Sequence, residues 1–144
     1  LNPNMMACAV SHVENEDDDI PPIVDVVVLD TVTGRSLYRH AHDNAAGPVH
    51  MVFSENALLY SFNRVDNAAR TELSSIALFA NSIGTYDLVP WKNIDREDTF
   101  SSFDEQIPVV LQKTFTYPEG IRGLTVSRTL HGASEKAFVL YTSS

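Results

Sequence analysis

Residues 26–38 decide the fold and read Val26-Val27-Val28-Leu29-Asp30-Thr31-Val32-Thr33-Gly34-Arg35-Ser36-Leu37-Tyr38. An apolar, β-branched run comes first, a polar turn segment follows, and a second extended run ends the stretch. Asp30 can accept hydrogen bonds from the amides of the turn, Thr33 can do so more weakly, and Gly34 supplies the positive φ that lets the chain reverse. We therefore predict two antiparallel strands joined by a tight turn whose structural residues are Asp30, Thr33 and Gly34.

The same alternation of extended runs and turn residues continues along the chain. It predicts strands at residues 5–11, 24–30, 36–42, 50–54, 57–63, 72–80, 109–117, 123–129 and 137–142. Residues 67–80 have a helical alternative, but Thr71, Ser74, Ser75 and Ile76 favour an extended chain there. The pattern predicts an all-β fold built of antiparallel sheets.

A unit of strand, D-x-x-T-G turn and strand recurs once per blade in quinoprotein-type β-propellers, whose blades have four antiparallel strands. Residues 48–118 supply four candidate strands in succession. We therefore predict a β-propeller segment with an incomplete ring: the end of one blade (1–43), one full blade (48–118) with a long loop (81–108), and the start of a third blade (121–144). Cut in this way, the segment would expose unpaired strand edges and is expected to self-associate when isolated.

Composition restricts the possible partners. The 144 residues are 44% hydrophobic, which fits one globular unit. Ten Lys and Arg stand against 19 Asp and Glu, a formal net charge of −9, which is the wrong sign for binding phosphates, so no nucleic acid partner is predicted. Cys8 is the single cysteine and excludes an internal disulfide, and no apolar run reaches the roughly 20 residues of a membrane span.

Several short motifs follow one another along the chain. They are Leu1-Asn2-Pro3-Asn4, Leu29-Asp30-Thr31-Val32-Thr33-Gly34-Arg35, Gly47-Pro48-Val49-His50, Ser54-Glu55-Asn56, Leu59-Tyr60-Ser61-Phe62, Ala69-Arg70-Thr71-Glu72-Leu73, Phe100-Ser101-Ser102-Phe103-Asp104 and Tyr117-Pro118. In this order they resemble the subunit 1 family of the endoplasmic reticulum membrane protein complex, over residues 1–129. Ala57, where the family usually has an aromatic residue, and residues 130–144 depart from its pattern.

The resemblance implies a large, membrane-anchored subunit whose β-propellers lie on the lumenal side of the endoplasmic reticulum membrane. It implies a non-catalytic scaffold in a hetero-oligomer that inserts and helps mature transmembrane segments, with the other subunits as partners. Two alternatives remain: a fragment of a quinoprotein-like dehydrogenase and a generic propeller interaction module. Such dehydrogenases hold their quinone with an adjacent cysteine pair and a tryptophan platform, whereas Cys8 and Trp91 are single and far apart, so no cofactor is predicted.

Two groups of side chains raise the question of a metal site. His40 and His42 are two apart on a predicted strand, so they share a face and could begin a zinc site with Asp43 or His50. The simpler interpretation places the pair at a polar strand end, in solvent or in a hydrogen bond. The acidic run at 14–19 lacks the ligand spacing of an EF-hand and is interpreted as a solvated loop. We predict no metal site.

Catalytic motifs are also missing from the sequence. Ser54, Ser61 and Ser127 lie in ordinary strand contexts and no phosphate-binding glycine motif occurs, so no catalytic residue is predicted and the chain is not expected to be an enzyme. Trp91, Phe100 and Phe103 lie in the long loop and are the predicted partner contacts. Seven further aromatic side chains are assigned first to packing between sheets, with contact with a partner as the alternative for a minority of them: Tyr38, Phe53, Tyr60, Phe62, Phe79, Phe115 and Tyr117.

Overall fold

The computed structural model of the chain describes residues 4–12, 21–66, 70–79, 108–127 and 137–142. The regular elements of these residues are all strands: β1 (Met5–His12), β2 (Ile23–Asp30), β3 (Ser36–Asp43), β4 (Ala45–Ser54), β5 (Ala57–Arg64), β6 (Arg70–Phe79), β7 (Val109–Tyr117), β8 (Ile121–Val126) and β9 (Phe138–Thr142). The all-β prediction is confirmed. Within the segment that has the helical alternative, the described residues 70–79 form β6 and are extended.

The strands form three antiparallel sheets in which neighbours in the sheet are also neighbours in the sequence. Sheet A has the order β1-β2-β3, sheet B the order β4-β5-β6-β7, and sheet C the order β8-β9. Successive antiparallel strands can be joined by short hairpin connections, as between β2 and β3 and between β4 and β5, whereas a long connection separates β6 from β7. The four strands predicted within residues 48–118 are therefore brought together in one sheet, sheet B.

The start of β4 differs from the sequence-based expectation. This strand begins at Ala45 rather than at residue 50, and its pairing with β5 shifts register between Ala46 and His50. Gly47 and Pro48 look like turn residues in the sequence because glycine weakens a strand and proline cannot donate to a ladder. Here they are held within the strand as a bulge, where the pairing with β5 is interrupted.

Sheets A and B pack face to face around the core of the molecule. Alternate residues of β2 and of β5 point into this interface, as the two-residue period of a strand requires. The buried cluster consists of Val24, Val26, Val28, Ala45, Leu58, Tyr60, Phe62, Ile76 and Leu78. β8 also contacts β4 and β5 of sheet B, and Ile121 at its start is buried.

A single residue joins sheet A to sheet B. Asn44 stands between β3 and β4 with a φ of 52°, a left-handed conformation that asparagine tolerates better than most residues. Two backbone hydrogen bonds fix this connection: Ala45 N donates to Pro22 O at 2.9 Å, and Val65 N donates to Asn44 O at 2.9 Å. The relative position of the two sheets is thus held at one end by main-chain contacts.

Candidate functional site

The turn between β2 and β3 has the hydrogen bonds of a tight reversal. The Asp30 Oδ1 atom accepts from Val32 N at 2.8 Å and from Thr33 N at 3.3 Å, and Thr33 Oγ1 accepts from Arg35 N at 3.4 Å. Gly34 N donates to Asp30 O at 2.8 Å, and Gly34 has the positive φ, 73°, expected of it. These donors and acceptors satisfy one another within the turn, so they shape its backbone.

Tyr38, His40 and His42 line one face of β3. The ring centroids of His40 and His42 lie 4.5 Å apart in an edge arrangement, so the two imidazoles do share a face. Their exposure differs, because His40 is open to solvent and His42 is only 7% exposed. Of the two simple interpretations, His40 lies in solvent and His42 makes a hydrogen bond, but His42 does so beneath sheet B rather than at an open strand end.

Burial of His42 is accompanied by a hydrogen bond across the two sheets. His42 Nε2 lies 2.8 Å from the Tyr60 hydroxyl, and the Phe62 ring centroid lies 4.3 Å from that of His42. Burial lowers the pKa of His42 to about 4, and the positive charges of His40 and Arg64 act in the same direction. The imidazole is therefore neutral at neutral pH.

A neutral imidazole could bind a metal ion, but a metal site needs further ligands. Within the part of the chain that the structure describes, no group of three or more His, Cys, Asp or Glu side chains is placed to hold an ion. Among the described side chains, His40 and His42 are brought together without a third ligand. Cys8, on β1, is half-buried and carries a free thiol. The acidic run at 14–19 lies outside the described residues.

Polar side chains extend from His42 across the aromatic core in what we call the polar ladder: His42, Tyr60, Tyr38, Ser74, Thr114 and Gln112. The Tyr38 hydroxyl donates to Gln112 Oε1 at 2.9 Å, and the hydroxyls of Ser74 and Thr114 are 2.9 Å apart. The Tyr60 hydroxyl also interacts with Tyr38 and Ser74, and burial raises the pKa of both phenols. The two phenols remain protonated and link β3 to the strands of sheet B.

An ionic contact supports the same junction. Arg64 Nε lies 3.0 Å from Glu72 Oε1, and Arg64 Nη1 donates to the main-chain oxygen of Asp43 at 2.5 Å. Glu72 is buried, so its carboxylate depends on this partner for compensation. Because Asp43 ends β3 while Arg64 and Glu72 lie on β5 and β6, the guanidinium joins sheet A to sheet B.

A second ion pair lies on sheet A and uses only one of the two carboxylate oxygens of its aspartate. Arg39 binds Asp25 Oδ2 through Nε at 2.9 Å and Nη2 at 2.6 Å, while the buried Oδ1 atom of Asp25 has no hydrogen-bond partner among the described residues. The buried Ser61 hydroxyl is likewise without a partner in the described ranges, and Ser127 Oγ accepts from Ala137 N at 2.8 Å. Ser54 is buried at the end of β4.

The predicted partner contacts Trp91, Phe100 and Phe103 lie outside the described residues. Inside them, Phe79 and Phe115 are 38% and 53% exposed, so their packing between sheets stays a prediction. Phe115 and Leu111, which is 49% exposed, point to the same face of β7 because they are four residues apart on a strand. Sequence reasoning missed this apolar pair because periodicity does not reveal which strand forms the edge of a sheet.

The chain is similar in sequence to proteins of one known family. The whole chain, residues 1–144, matches the family model described as ER membrane protein complex subunit 1, second beta-propeller. Proteins named ER membrane protein complex subunit 1 are 26% identical over 140 residues in Gallus gallus and 29% identical over 146 residues in Schizosaccharomyces pombe. These matches cover 97% and 100% of this chain but 13% and 15% of the relatives, so the chain spans about a seventh of their length. The described residues contain no helix with the length and hydropathy of a membrane span.

Proposed function

Because the chain belongs to the ER membrane protein complex subunit 1 family, we propose that it is a non-catalytic scaffold segment on the lumenal side of the endoplasmic reticulum membrane. The family resemblance of the sequence motifs, and with it the β-propeller fold class, is confirmed by a match over the whole chain. The observation that carries the scaffold proposal is the use of the interior for packing: the buried side chains of β2, β5 and β6 hold sheet A on sheet B.

We propose that each sheet is a blade or part of one. Sheet B is the full blade, sheet A the end of the preceding blade, and sheet C the start of the following blade. The sequential order of the antiparallel strands supports this assignment, as does the face-to-face packing of sheets A and B. In this arrangement the full blade begins at β4, three residues before the boundary expected from the sequence, and the first and last parts correspond to residues 1–43 and 121–144.

The proposed partners are other subunits of the same complex, in the membrane-anchored assembly that inserts transmembrane segments. The proposed contacts are Trp91, Phe100 and Phe103, together with the exposed pair Leu111 and Phe115 on β7. Large apolar side chains of this kind contribute most of the binding energy at protein interfaces when a partner covers them.

Lumenal placement can be tested with a new glycosylation site. The sequence contains no N-x-S/T motif, and Thr31→Asn would create one that ends at Thr33, in an exposed turn. Because N-glycans are added on the lumenal side, we expect a glycosidase-sensitive mass increase in the intact protein expressed in cells. Thr31→Gln is the matched control and should show no increase. A Thr31→Asn protein that folds and carries no glycan would contradict lumenal placement.

The scaffold role can be tested by co-purification of the complex. Combined replacement of Trp91, Phe100 and Phe103 by Ser in the intact protein should reduce the recovery of other subunits by several-fold, because apolar anchors are lost. A second variant, Leu111→Ser with Phe115→Ser, examines the β7 pair separately. Thr116→Ser on the same strand is the control and should leave recovery unchanged. Full recovery with both sets of substitutions would exclude these contacts.

A further inference from the structure

One titratable side chain lies buried where the two large sheets meet. His42 is 7% exposed, belongs to sheet A, and makes its 2.8 Å hydrogen bond to Tyr60 of sheet B. Two of its neighbours are apolar: Val24 lies opposite His42 on β2, and Phe62 packs against the imidazole ring. A positive charge on His42 would therefore have to be held between two sheets without bulk water.

The charged and titratable groups around His42 offer little compensation for such a charge. On β3 they are His40, Asp43 and Tyr38; on β5, Arg64 and Tyr60; and on β6, Glu72. Glu72 is already paired with Arg64 at 3.0 Å, and Asp43 is exposed to solvent. The ring of His40, 4.5 Å away, is a second imidazole whose own protonation opposes a charge on His42. On β2, the residue paired with His42 is the uncharged Val24.

We propose that the contact between His42 and Tyr60 is an acid-sensitive latch, which holds sheet A on sheet B while His42 is neutral and releases it when His42 is protonated. Neutral His42 can either accept a hydrogen bond from the Tyr60 hydroxyl or donate one to it. Protonated His42 can only donate, so the Tyr60 hydrogen must turn to another acceptor while a charge remains in the junction. Separation of the sheets lets water solvate that charge.

The direction of the pH effect follows from linkage. The pKa of His42 is about 4 in the closed junction, below the ordinary value of 6.5 that solvation restores on opening. As the pH falls below about 6.5, the open state binds a proton before the closed state does, and the closed junction loses stability until the pH reaches about 4. Opening should therefore become on the order of tenfold more frequent between about pH 7 and about pH 5.

Hydrogen exchange of the intact protein measures this opening directly. We expect peptides from β3 and β5 to exchange on the order of tenfold faster at about pH 5 than at about pH 7, after correction for the intrinsic pH dependence of exchange. Peptides from β8 and β9 in sheet C serve as the internal reference and should show a smaller change. Equal protection of β3 at both pH values would overturn the proposal.

Two substitutions of His42 identify it as the group responsible. His42→Phe keeps an aromatic ring but cannot be protonated, so its β3 peptides should show no acid-induced acceleration. His42→Gln provides the same test with a polar side chain that can still reach Tyr60, in case the first variant does not fold. His50→Gln on β4, where the histidine is half-buried, is the matched control and should keep the acid response. Persistence of the full response in either His42 variant would overturn the assignment.

Discussion

β2 and β7 are both regular, paired strands, yet their residues lie in opposite environments. In β2, Val24, Asp25, Val26, Val28 and Asp30 are buried, and the other three residues are half-buried. In β7, every residue from Leu111 to Thr116 is exposed. Both strands pair along almost their whole length with a neighbouring strand. Strand formation alone therefore does not determine burial.

The difference comes from the place of each strand in its sheet. β2 lies between β1 and β3, and one of its faces packs on sheet B, whereas β7 pairs with β6 at one edge of sheet B. β7 is also the more polar strand, with Gln112, Lys113 and Thr114 in succession, yet its apolar residues Leu111 and Phe115 are exposed as well. We conclude that an apolar side chain stabilises this fold in proportion to the sheet face that covers it, a quantity that residue type does not report.

The largest effect should separate two phenylalanines, one in the junction and one on the edge strand. Phe62 is fully buried between the sheets and Phe115 is 53% exposed. Phe62→Ala should lower the free energy of unfolding by about 3–5 kcal/mol because it leaves a cavity, and Phe115→Ala should change it by less than about 0.5 kcal/mol. Urea denaturation of the intact protein, read by hydrogen exchange of sheet B peptides, measures both. Similar losses of stability for the two variants would show that burial of the side chain does not determine its contribution.

A smaller difference is expected between two arginines. Arg64 joins Asp43 and the buried Glu72, whereas Arg70 pairs with Asp66 at the surface, at 3.2 Å. Arg64→Ala should lower the free energy of unfolding by about 2 kcal/mol, because a mostly buried carboxylate loses its partner. Arg70→Ala should change it by less than about 0.5 kcal/mol, as surface ion pairs contribute little. An Arg64→Ala protein as stable as the parent would show that solvent reaches Glu72.

The smallest expected effect on stability separates two glycines. It shows that exposure of a residue does not predict whether its substitution is tolerated. Gly34 is exposed, with φ of 73°, while Gly123 in β8 does not adopt the left-handed region, and an added Cβ meets no atom within 4 Å at either position. Gly34→Ala should cost about 1 kcal/mol through backbone strain alone. Gly123→Ala should be neutral or slightly stabilising, since the unfolded chain loses freedom. Thermal unfolding compares the two, and equal midpoints would contradict the strain argument.

Most of the strand pattern could be predicted because local signals determine it. The β2–β3 turn shows this best, since Asp30 and Gly34 supply the acceptor and the positive φ within five consecutive residues. The start of β4 could not be placed correctly, because Gly47 and Pro48 are turn residues by composition, and only the pairing of Ala45 and Ala46 with β5 extends the strand to their N-terminal side. The sequence alone does not report that pairing.

The candidate site could be predicted only in part, for a related reason. The shared face of His40 and His42 follows from their spacing of two residues on a strand. The burial of His42 depends on Tyr60 and Phe62, which reach it only when one sheet docks on another. Phe62 and Phe115 are both aromatic residues in well-formed strands, so only tertiary packing explains why the first is buried and the second exposed.

The one-residue connection at Asn44 has a consequence for the order of folding. Since β3 and β4 are separated by this residue alone, the docking of sheet A on sheet B closes almost no additional loop and costs little chain entropy. The pairing of Phe79 with Val109, in contrast, brings together residues separated by a long stretch of sequence. Contacts of low sequence separation form faster, so the junction around Asn44 should assemble early and the addition of β7 should come later. The order of the strands along the chain therefore favours formation of the buried interface between sheets A and B before the edge strand β7 is added.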